Sequence, residues 1–400
     1  MRKLLKNRLI LFIVVIIVVF LVSAPSFAIA QTTENAQMQT ELEDTIFDQI
    51  NNLDFSSLDS VLENLELDKY SLFESTSFKA KVEQIVSGDF SQNYDSVFAA
   101  ILGLLFENLL NFIPLFAVII GIGVLSSFIS NLAPNSKNKT IMDIVHFVCY
   151  SLIIIIVFNA VVQLLQLTSQ TLESLKTQID IVFPILLTIM TALGSVAAAS
   201  VYQPAVAIFS GAIVQIFSNV VLPLFIFTLV FNVVGNISTN LQLKKFNSFF
   251  NSSFKWIVGS VFTIFIGFMS IQGITAGSFD KVSIRTAKFA MRSYIPIMGG
   301  YLSEGFNVIM ASGILIKNAV GLAGLLVMFV TILMPVIQIF VLKLGLNLTA
   351  AILEPIVDKR ICNFIMGVSK TLIMLLCTIL AVAFMYFILA GLIISTANLV

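Results

Sequence analysis

Residues 296–313, PIMGGYLSEGFNVIMASG, place one carboxylate in an otherwise uncharged and apolar run. Across the 50 residues from Ser293 to Leu342, only Glu304 and Lys317 carry a charge. A charged side chain at the centre of a bilayer costs about 2.5–3.5 kcal/mol, so a run this poor in charge is typical of membrane-spanning helices. Glu304 then needs a bound proton, a polar partner or water inside the membrane.

The whole chain has the same apolar character. Of its 400 residues, 58% are hydrophobic and only 11% are charged, and the mean hydropathy is +1.01. An ordinary soluble domain carries about 25% charged residues, so a soluble fold could not cover itself with this sequence. The composition therefore predicts an all-α polytopic membrane protein.

Hydropathy divides residues 98–400 into about eight apolar segments, most of them long enough to cross a hydrocarbon core of about 30 Å. The predicted transmembrane helices are 109–131, 144–166, 181–201, 207–235, 256–275, 295–316, 318–342 and 371–396. Breaks are predicted at the polar segment 167–180 and at a turn near Lys317. A further segment, 346–370, contains charged residues and a proline, and is predicted to lie at the cytoplasmic interface.

The first 30 residues have the pattern of a cleavable signal peptide. A basic start, MRKLLKNR, precedes a long apolar run, and Ala28 and Ala30 form a small-residue cleavage site. Cleavage is predicted after Ala30, with an uncleaved anchor as the alternative. Both interpretations place residue 31 outside the cytoplasm, because the basic start is retained inside.

Residues 31–97 form an acidic region with 14 acidic and 3 basic residues. Apolar residues at helical spacing predict short amphipathic helices, one of which carries Phe78, Val82 and Ile85 and stops near Gly88. We predict a small helical extracytoplasmic region that packs on a partner or on the membrane face. A solvated acidic linker is the alternative, and the polytopic membrane domain follows over 98–400.

Basic residues between the predicted spans indicate the orientation. With residue 31 outside, the basic segments 137–139, 281–292 and 343–370 fall in the cytoplasm, as the positive-inside rule requires. The segment 236–255 carries three lysines but falls outside. The sequence leaves this conflict open.

Residues suited to catalysis or metal binding are scarce. His146 is the only histidine, and Cys149, Cys362 and Cys377 show no CxxC spacing. A single histidine excludes an HExxH zinc site, and no phosphate-binding glycine motif precedes a soluble helix. We therefore expect no enzymatic activity, no metal and no cofactor.

Polar residues inside the predicted spans indicate a possible conduit. Glu304, Gln338 and Gln215 are the candidates for lining it, and Gln163 and Asn219 are further possible partners of Glu304. Intramembrane polar groups of this kind line substrate paths or couple ions. An ordinary hydrogen bond between helices is the alternative.

Small residues predict close helix packing. In TALGSVAAAS, residues 191–200, Gly194 and Ala198 lie one helical turn apart, and small residues let helices approach closely in lipid. The other predicted packing residues are Gly299, Gly300, Gly321 and Gly324. Packing within the chain and packing between subunits both fit this pattern.

Three stretches resemble a known family. They are PIMGGYLSEGFNVIMASGILIKNAVGLAGLL (296–326), MPVIQIF (334–340) and AAILEPIVDKR (350–360). With the signal peptide and the polytopic body, they resemble the stage III sporulation protein AE family of endospore-forming bacteria. The resemblance covers most of the chain and is weakest over 31–90.

The resemblance implies a function in sporulation. Family members act with other stage III sporulation A membrane proteins and, indirectly, with stage II sporulation protein Q. Together they form a channel or secretion-like complex between mother cell and forespore, needed for forespore development after engulfment. The expected location is the mother-cell membrane surrounding the forespore, with the N-terminal region in the intermembrane space and no nucleic-acid partner.

Two other functions compete with this one. A secondary transporter or permease would use Glu304 as its intramembrane coupling residue. An intramembrane enzyme is disfavoured, because the sequence lacks a nucleophile paired with a base.

Overall fold

The computed structural model describes residues 77–87, 94–132, 139–237, 244–294 and 299–396, with Ile50, Phe55, Ser56 and Asp59. Every regular element within these residues is helical, so the predicted all-α fold is confirmed. The predicted cleavage site at Ala28 and Ala30 lies outside the described residues.

The described residues form seven helices. They are α1 (Phe78–Ser87), α2 (Tyr94–Leu132), α3 (Lys139–Ala192), α4 (Val196–Ile208, Phe209–Ile213, Val214–Ile216, Phe217–Val221 and Leu222–Ile237 in succession), α5 (Lys244–Tyr294), α6 (Gly299–Leu353) and α7 (Lys359–Ser395). Six of them, α2 to α7, are long and apolar enough to cross a membrane.

Two predicted breaks are wrong. The segment 167–180 continues α3 without interruption, and Lys317 lies within α6. In α3 the polar segment contains neither glycine nor proline, and its Leu172, Leu175 and Ile179 are fully buried on one face. Polar residues therefore lower the hydropathy there without ending the helix, and six long helices replace the eight that were predicted.

Two other segments also differ from the prediction. Segment 346–370 is not a separate interfacial piece but the end of α6, the turn 354–358 and the start of α7. Asp358 caps α7, because its carboxylate accepts a hydrogen bond from the Arg360 backbone N–H at 2.8 Å. The basic segment 281–292, predicted as a loop, is part of α5.

Helices α6 and α7 form the central antiparallel hairpin. Tyr386 on α7 donates to the Gly324 carbonyl on α6 at 3.5 Å, and Ser369 donates to the Lys343 carbonyl at 3.0 Å. No large hydrophobic side chain of α7 is exposed, because α3, α4, α5 and α6 pack around it. Helix α3 also runs antiparallel to α6, and its Gln178 donates to Thr331 at 2.7 Å.

Helices α3 and α4 form a second antiparallel hairpin, joined by the turn 193–195. At its far end, Tyr150 on α3 donates to the Val233 carbonyl on α4 at 3.2 Å. Gly194 lies in the turn with φ +79°, a left-handed conformation that glycine adopts without steric cost. Contrary to the sequence prediction, Gly194 therefore does not share a helix face with Ala198, which is buried within α4 together with Ala199 and Tyr202.

Helix α1 confirms one sequence expectation. It ends at Ser87, next to Gly88, and buries Phe78 and Val82 completely. Asp59 caps it, because its carboxylate accepts from the Phe78 backbone N–H at 2.6 Å. Helix α1 packs against α6 of its own chain.

Gly345 marks the close approach of α2 to α6. A Cβ at this position would overlap the ring of Phe116, which is buried. We expect Gly345→Ala to lower the free energy of unfolding by about 1–3 kcal/mol, because the ring must move within a packed interface. The measurement is the thermal unfolding midpoint in detergent. Gly103→Ala, where the added methyl group meets open space, is the matched control and should leave the midpoint unchanged or slightly raised.

Candidate functional site: a polar stripe on helix α3

The exposed face of α3 changes character along its length. Its first part exposes large apolar side chains, as expected against lipid: Ile144, Phe147, Val148, Leu152, Ile155 and Phe158. From residue 159 to residue 195, all of which are described, no large hydrophobic side chain is exposed. The outer surface of α3 therefore becomes polar halfway along a continuous helix.

The exposed residues of this second part form a regular pattern. From 159 to 180, exposed polar residues recur at alternating intervals of four and three positions. They are Asn159, Gln163, Gln166, Gln170, Glu173, Thr177 and Asp180, together called the α3 stripe, and Ser169 is exposed beside Gln170. This spacing keeps them on one face of the helix. The stripe is about 32 Å long.

The opposite face of α3 is a protein interior. Leu164, Leu172, Leu175 and Ile179 are almost completely buried there, and α3 packs against α2, α4, α6 and α7. The division between a buried apolar face and an exposed polar face is the pattern of a helix beside water.

Helix α5 exposes Trp256 at the height of the stripe. Helices α4 and α5 are antiparallel, since Phe231 stacks on Phe246 and Phe209 lies against Phe265, with ring centroids 5.5 and 5.3 Å apart. Between these pairs α5 exposes Trp256 by 75%. Trp256 therefore lies at the same height along the bundle as the middle of the α3–α4 hairpin, which is also the height of the α3 stripe. Lys255 is exposed beside Trp256, and a tryptophan next to a lysine is typical of a membrane–water interface.

A cleft between α2 and α3 continues the polar surface. Its volume is about 680 Å³, and the carboxamides of Asn111, Asn159 and Gln163 line it among apolar side chains. Next to Asn111, α2 exposes Leu110 and, one turn away, Phe106. Three amides in one cleft provide hydrogen-bond donors and acceptors that lipid tails cannot satisfy.

Helix α4 contains two wide turns, which are π-helical, at Phe209–Ile213 and Phe217–Val221. In a regular α-helix, positions four residues apart drift by about 40° around the axis. A π turn accommodates one more residue, so it reduces this drift. Small or polar residues four apart consequently remain exposed on one side of α4: Gln203, Ala207, Gly211, Gln215 and Asn219.

The predicted conduit residues do not come together. Gln215 is exposed on α4, while Gln338 is half-buried on α6. Glu304 belongs to α6. The surroundings of its side chain lie outside what the structure describes, so its place in a conduit stays a prediction. Gln163, considered only as a partner of Glu304, is a member of the α3 stripe.

Two of the four other predicted packing glycines, Gly321 and Gly324, lie at contacts between helices. A Cβ on Gly324 would lie 2.8 Å from Val182 of α3, and a Cβ on Gly321 would meet Ile394 of α7. Both glycines thus lie at contacts within the chain. The surroundings of Gly299 and Gly300 lie outside the described residues.

Sequence reasoning missed Lys317, which is fully buried. Its Nζ donates to the carbonyl oxygens of Ile394 at 2.8 Å and Ile393 at 3.4 Å, and to that of Thr396. The Thr396 hydroxyl also lies 3.0 Å from the hydroxyl of Tyr202 on α4. This Lys317 junction joins α4, α6 and the end of α7, where unpaired carbonyls attract a cation.

The sequence contained a signal for the α3 stripe. The polar residues recur at four and three positions in NAVVQLLQLTSQTLESLKTQID, 159–180, and can be read without a structure. Low hydropathy at 167–180 predicts a loop between two spans, and this prediction hides the pattern. The partners of Lys317, by contrast, lie more than 70 positions away, and no local pattern indicates them.

Comparison with known proteins identifies the family. The model of stage III sporulation protein AE matches residues 76–397. The curated stage III sporulation protein AE of Bacillus subtilis (strain 168) is 23% identical over 323 residues, which cover 81% of each chain. No solved structure matches. The chain therefore belongs to the stage III sporulation protein AE family.

Proposed function

We propose that this protein is an integral membrane component of a channel or secretion-like complex that links mother cell and forespore. Its contribution is needed for forespore development after engulfment. The α3 stripe is the observation that carries the proposal. It presents seven polar side chains on a helix whose earlier part, 144–158, exposes large apolar side chains.

The chemistry of the stripe suits passage of water and polar solutes. Four of its seven members are carboxamides, which both donate and accept hydrogen bonds and carry no charge. Exposing such groups to hydrocarbon is costly, so the stripe is stable only against water or polar protein surface. The carboxamide half of the stripe, 159–170, hydrogen-bonds without a fixed charge and so lets solutes enter and leave, while Glu173 and Asp180 make the other half acidic.

The distribution of basic residues supports the proposed orientation. Helices α3, α5 and α7 begin at Lys139, Lys244 and Lys359, and the antiparallel pairing places these three starts at one end of the bundle. The positive-inside rule assigns that end to the cytoplasm. The acidic N-terminal region then lies in the intermembrane space. The basic residues of 281–292 count against this assignment.

The proposed partners are other stage III sporulation A membrane proteins and, indirectly, stage II sporulation protein Q. The proposal includes no catalytic step, since the stripe offers hydrogen bonds and no nucleophile paired with a base. A secondary transporter that couples through Glu304 is the competing proposal. Such a transporter would load substrate alone in reconstituted vesicles, whereas a channel component requires its partners.

Isolation from sporulating cells tests the proposed function. The full-length tagged protein is purified from membranes after engulfment in mild detergent. We expect the other stage III sporulation A proteins to co-purify, and an unrelated polytopic protein with the same tag to bring none of them. Purification of this chain without them, together with substrate uptake by the isolated protein, would favour the transporter instead.

A further inference from the structure

We propose that residues 245–256, called the α5 start, bind phospholipids whose headgroup is anionic. These residues begin a helix that is long and apolar enough to cross a membrane. The inference goes beyond the proposed function and does not depend on it. The two kinds of side chain that the α5 start exposes carry it.

One edge of the exposed face of the α5 start is aromatic. Phe246, Phe249 and Trp256 are spaced three and seven positions apart, so they lie on one side of the helix. They are 54%, 63% and 75% exposed. Phe231 of α4 stacks on Phe246 and on Phe250, with ring centroids 5.5 and 5.3 Å apart, and holds this edge in place. Exposed aromatic rings of this kind are typical of the boundary between acyl chains and headgroups.

The other edge of the same face carries ammonium and hydroxyl groups. Lys245, Ser248, Ser252 and Lys255 recur at intervals of three, four and three positions, and all four are exposed. Each lysine therefore has a serine about one helical turn away. An ammonium and a hydroxyl group at this spacing both donate hydrogen bonds, and phosphate oxygens accept them.

The surrounding sequence supplies no charge that would neutralise these lysines. The 99 residues 181–279 contain three lysines, at 244, 245 and 255, and neither aspartate nor glutamate. In the part of the chain that the structure describes, Lys245 and Lys255 form no ion pair. An anionic headgroup provides the missing charge, and lysines close to a membrane surface attract such headgroups.

Apolar side chains of α4 lie beside the aromatic edge. Phe227 stacks on Phe250 with ring centroids 5.4 Å apart, and Ile226, Phe227 and Val230 are exposed. They provide a surface for acyl chains next to the lysines that bind the headgroup. A phospholipid fits both parts in one molecule, whereas a soluble phosphate would leave the apolar part in water.

Trp256 is the only tryptophan of the chain, so its fluorescence reports on this site directly. The full-length protein is reconstituted into vesicles of phosphatidylcholine with a minor fraction of phosphatidylglycerol. Bromine atoms on acyl chains quench tryptophan fluorescence at short range. In one set of vesicles the phosphatidylglycerol is brominated, and in the matched set an equal amount of phosphatidylcholine is brominated instead. The two sets differ only in which lipid carries the quencher.

We expect brominated phosphatidylglycerol to quench Trp256 about twofold more than brominated phosphatidylcholine, because the lysines concentrate the anionic lipid beside it. Lys245→Gln with Lys255→Gln should make the two sets equal. Lys79→Gln with Lys176→Gln removes the same charge from α1 and α3 and should preserve the difference.

Equal quenching of the parent chain in the two sets would refute the inference, because Trp256 would then contact lipid without preference. Quenching by aqueous acrylamide alone would place the α5 start in water, and protection from both quenchers would show that protein covers it. Either result refutes the inference, as does a difference that survives the double lysine substitution. None of these results bears on the proposed function, which depends on the α3 stripe.

Discussion

Replacing Lys317 with methionine lowers the stability of the folded protein by roughly 3 kcal/mol. The ammonium group of Lys317 donates to three carbonyl oxygens near the end of α7. Methionine fills a similar volume but donates nothing, and each buried acceptor left unpaired costs about 1–3 kcal/mol. The same substitution removes a cation from a helix C-terminus, where it is favourable.

The thermal unfolding midpoint of the purified protein in detergent measures this effect. Lys255→Met is the matched control, because Lys255 is exposed on α5 and its loss should leave the midpoint unchanged. Limited proteolysis adds a second readout, since release of α7 should open cleavage sites near Thr396 first. A midpoint equal to that of the parent chain would show that the Lys317 junction contributes no stability.

Replacing both Gln166 and Gln170 with leucine should abolish most spore formation while the protein stays folded. Each carboxamide stabilises water or solute beside it by about 1 kcal/mol, so losing two lowers passage by about tenfold or more. The measurement is the number of heat-resistant spores formed by a strain that carries only the variant. Membrane level and unfolding midpoint should match the parent chain, because both residues are exposed.

Two further variants make this experiment specific. Thr263→Leu with Ser270→Leu introduces the same two leucines at exposed polar positions of α5 and should sporulate normally. Gln166→Ser with Gln170→Ser keeps hydrogen-bonding groups and should retain most spore formation. Normal sporulation of the double leucine variant would remove the α3 stripe from the proposed function.

The class of fold could be predicted from the sequence because it depends on total charge and hydropathy, which are summed over residues and need no knowledge of contacts. An all-α membrane body and the helix that buries Phe78 and Val82 follow directly from composition and spacing. The error at 167–180 has a physical cause: hydropathy measures the cost of polar groups in lipid and ignores the face on which they lie. On α3, one side of that segment is fully buried while the other is polar.

The candidate site was predictable in part. Gln163 and Gln215 were recognised as polar residues in apolar spans, and both are exposed. Their grouping was not predictable, because it depends on α3 being continuous and on two wide turns in α4. Lys317 was placed in a turn because an isolated charge usually ends a span, and its distant carbonyl partners were invisible in the local sequence.

The uninterrupted length of α3 has a consequence for how far the protein extends beyond the membrane. Its 54 residues extend for about 80 Å, whereas the oily interior of a membrane is about 30 Å deep. Much of this rod must project beyond the lipid, and α6, with 55 residues, does the same beside it. The two helices thus carry part of the protein beyond the membrane surface, and a partner that binds their projecting ends need not reach the lipid itself.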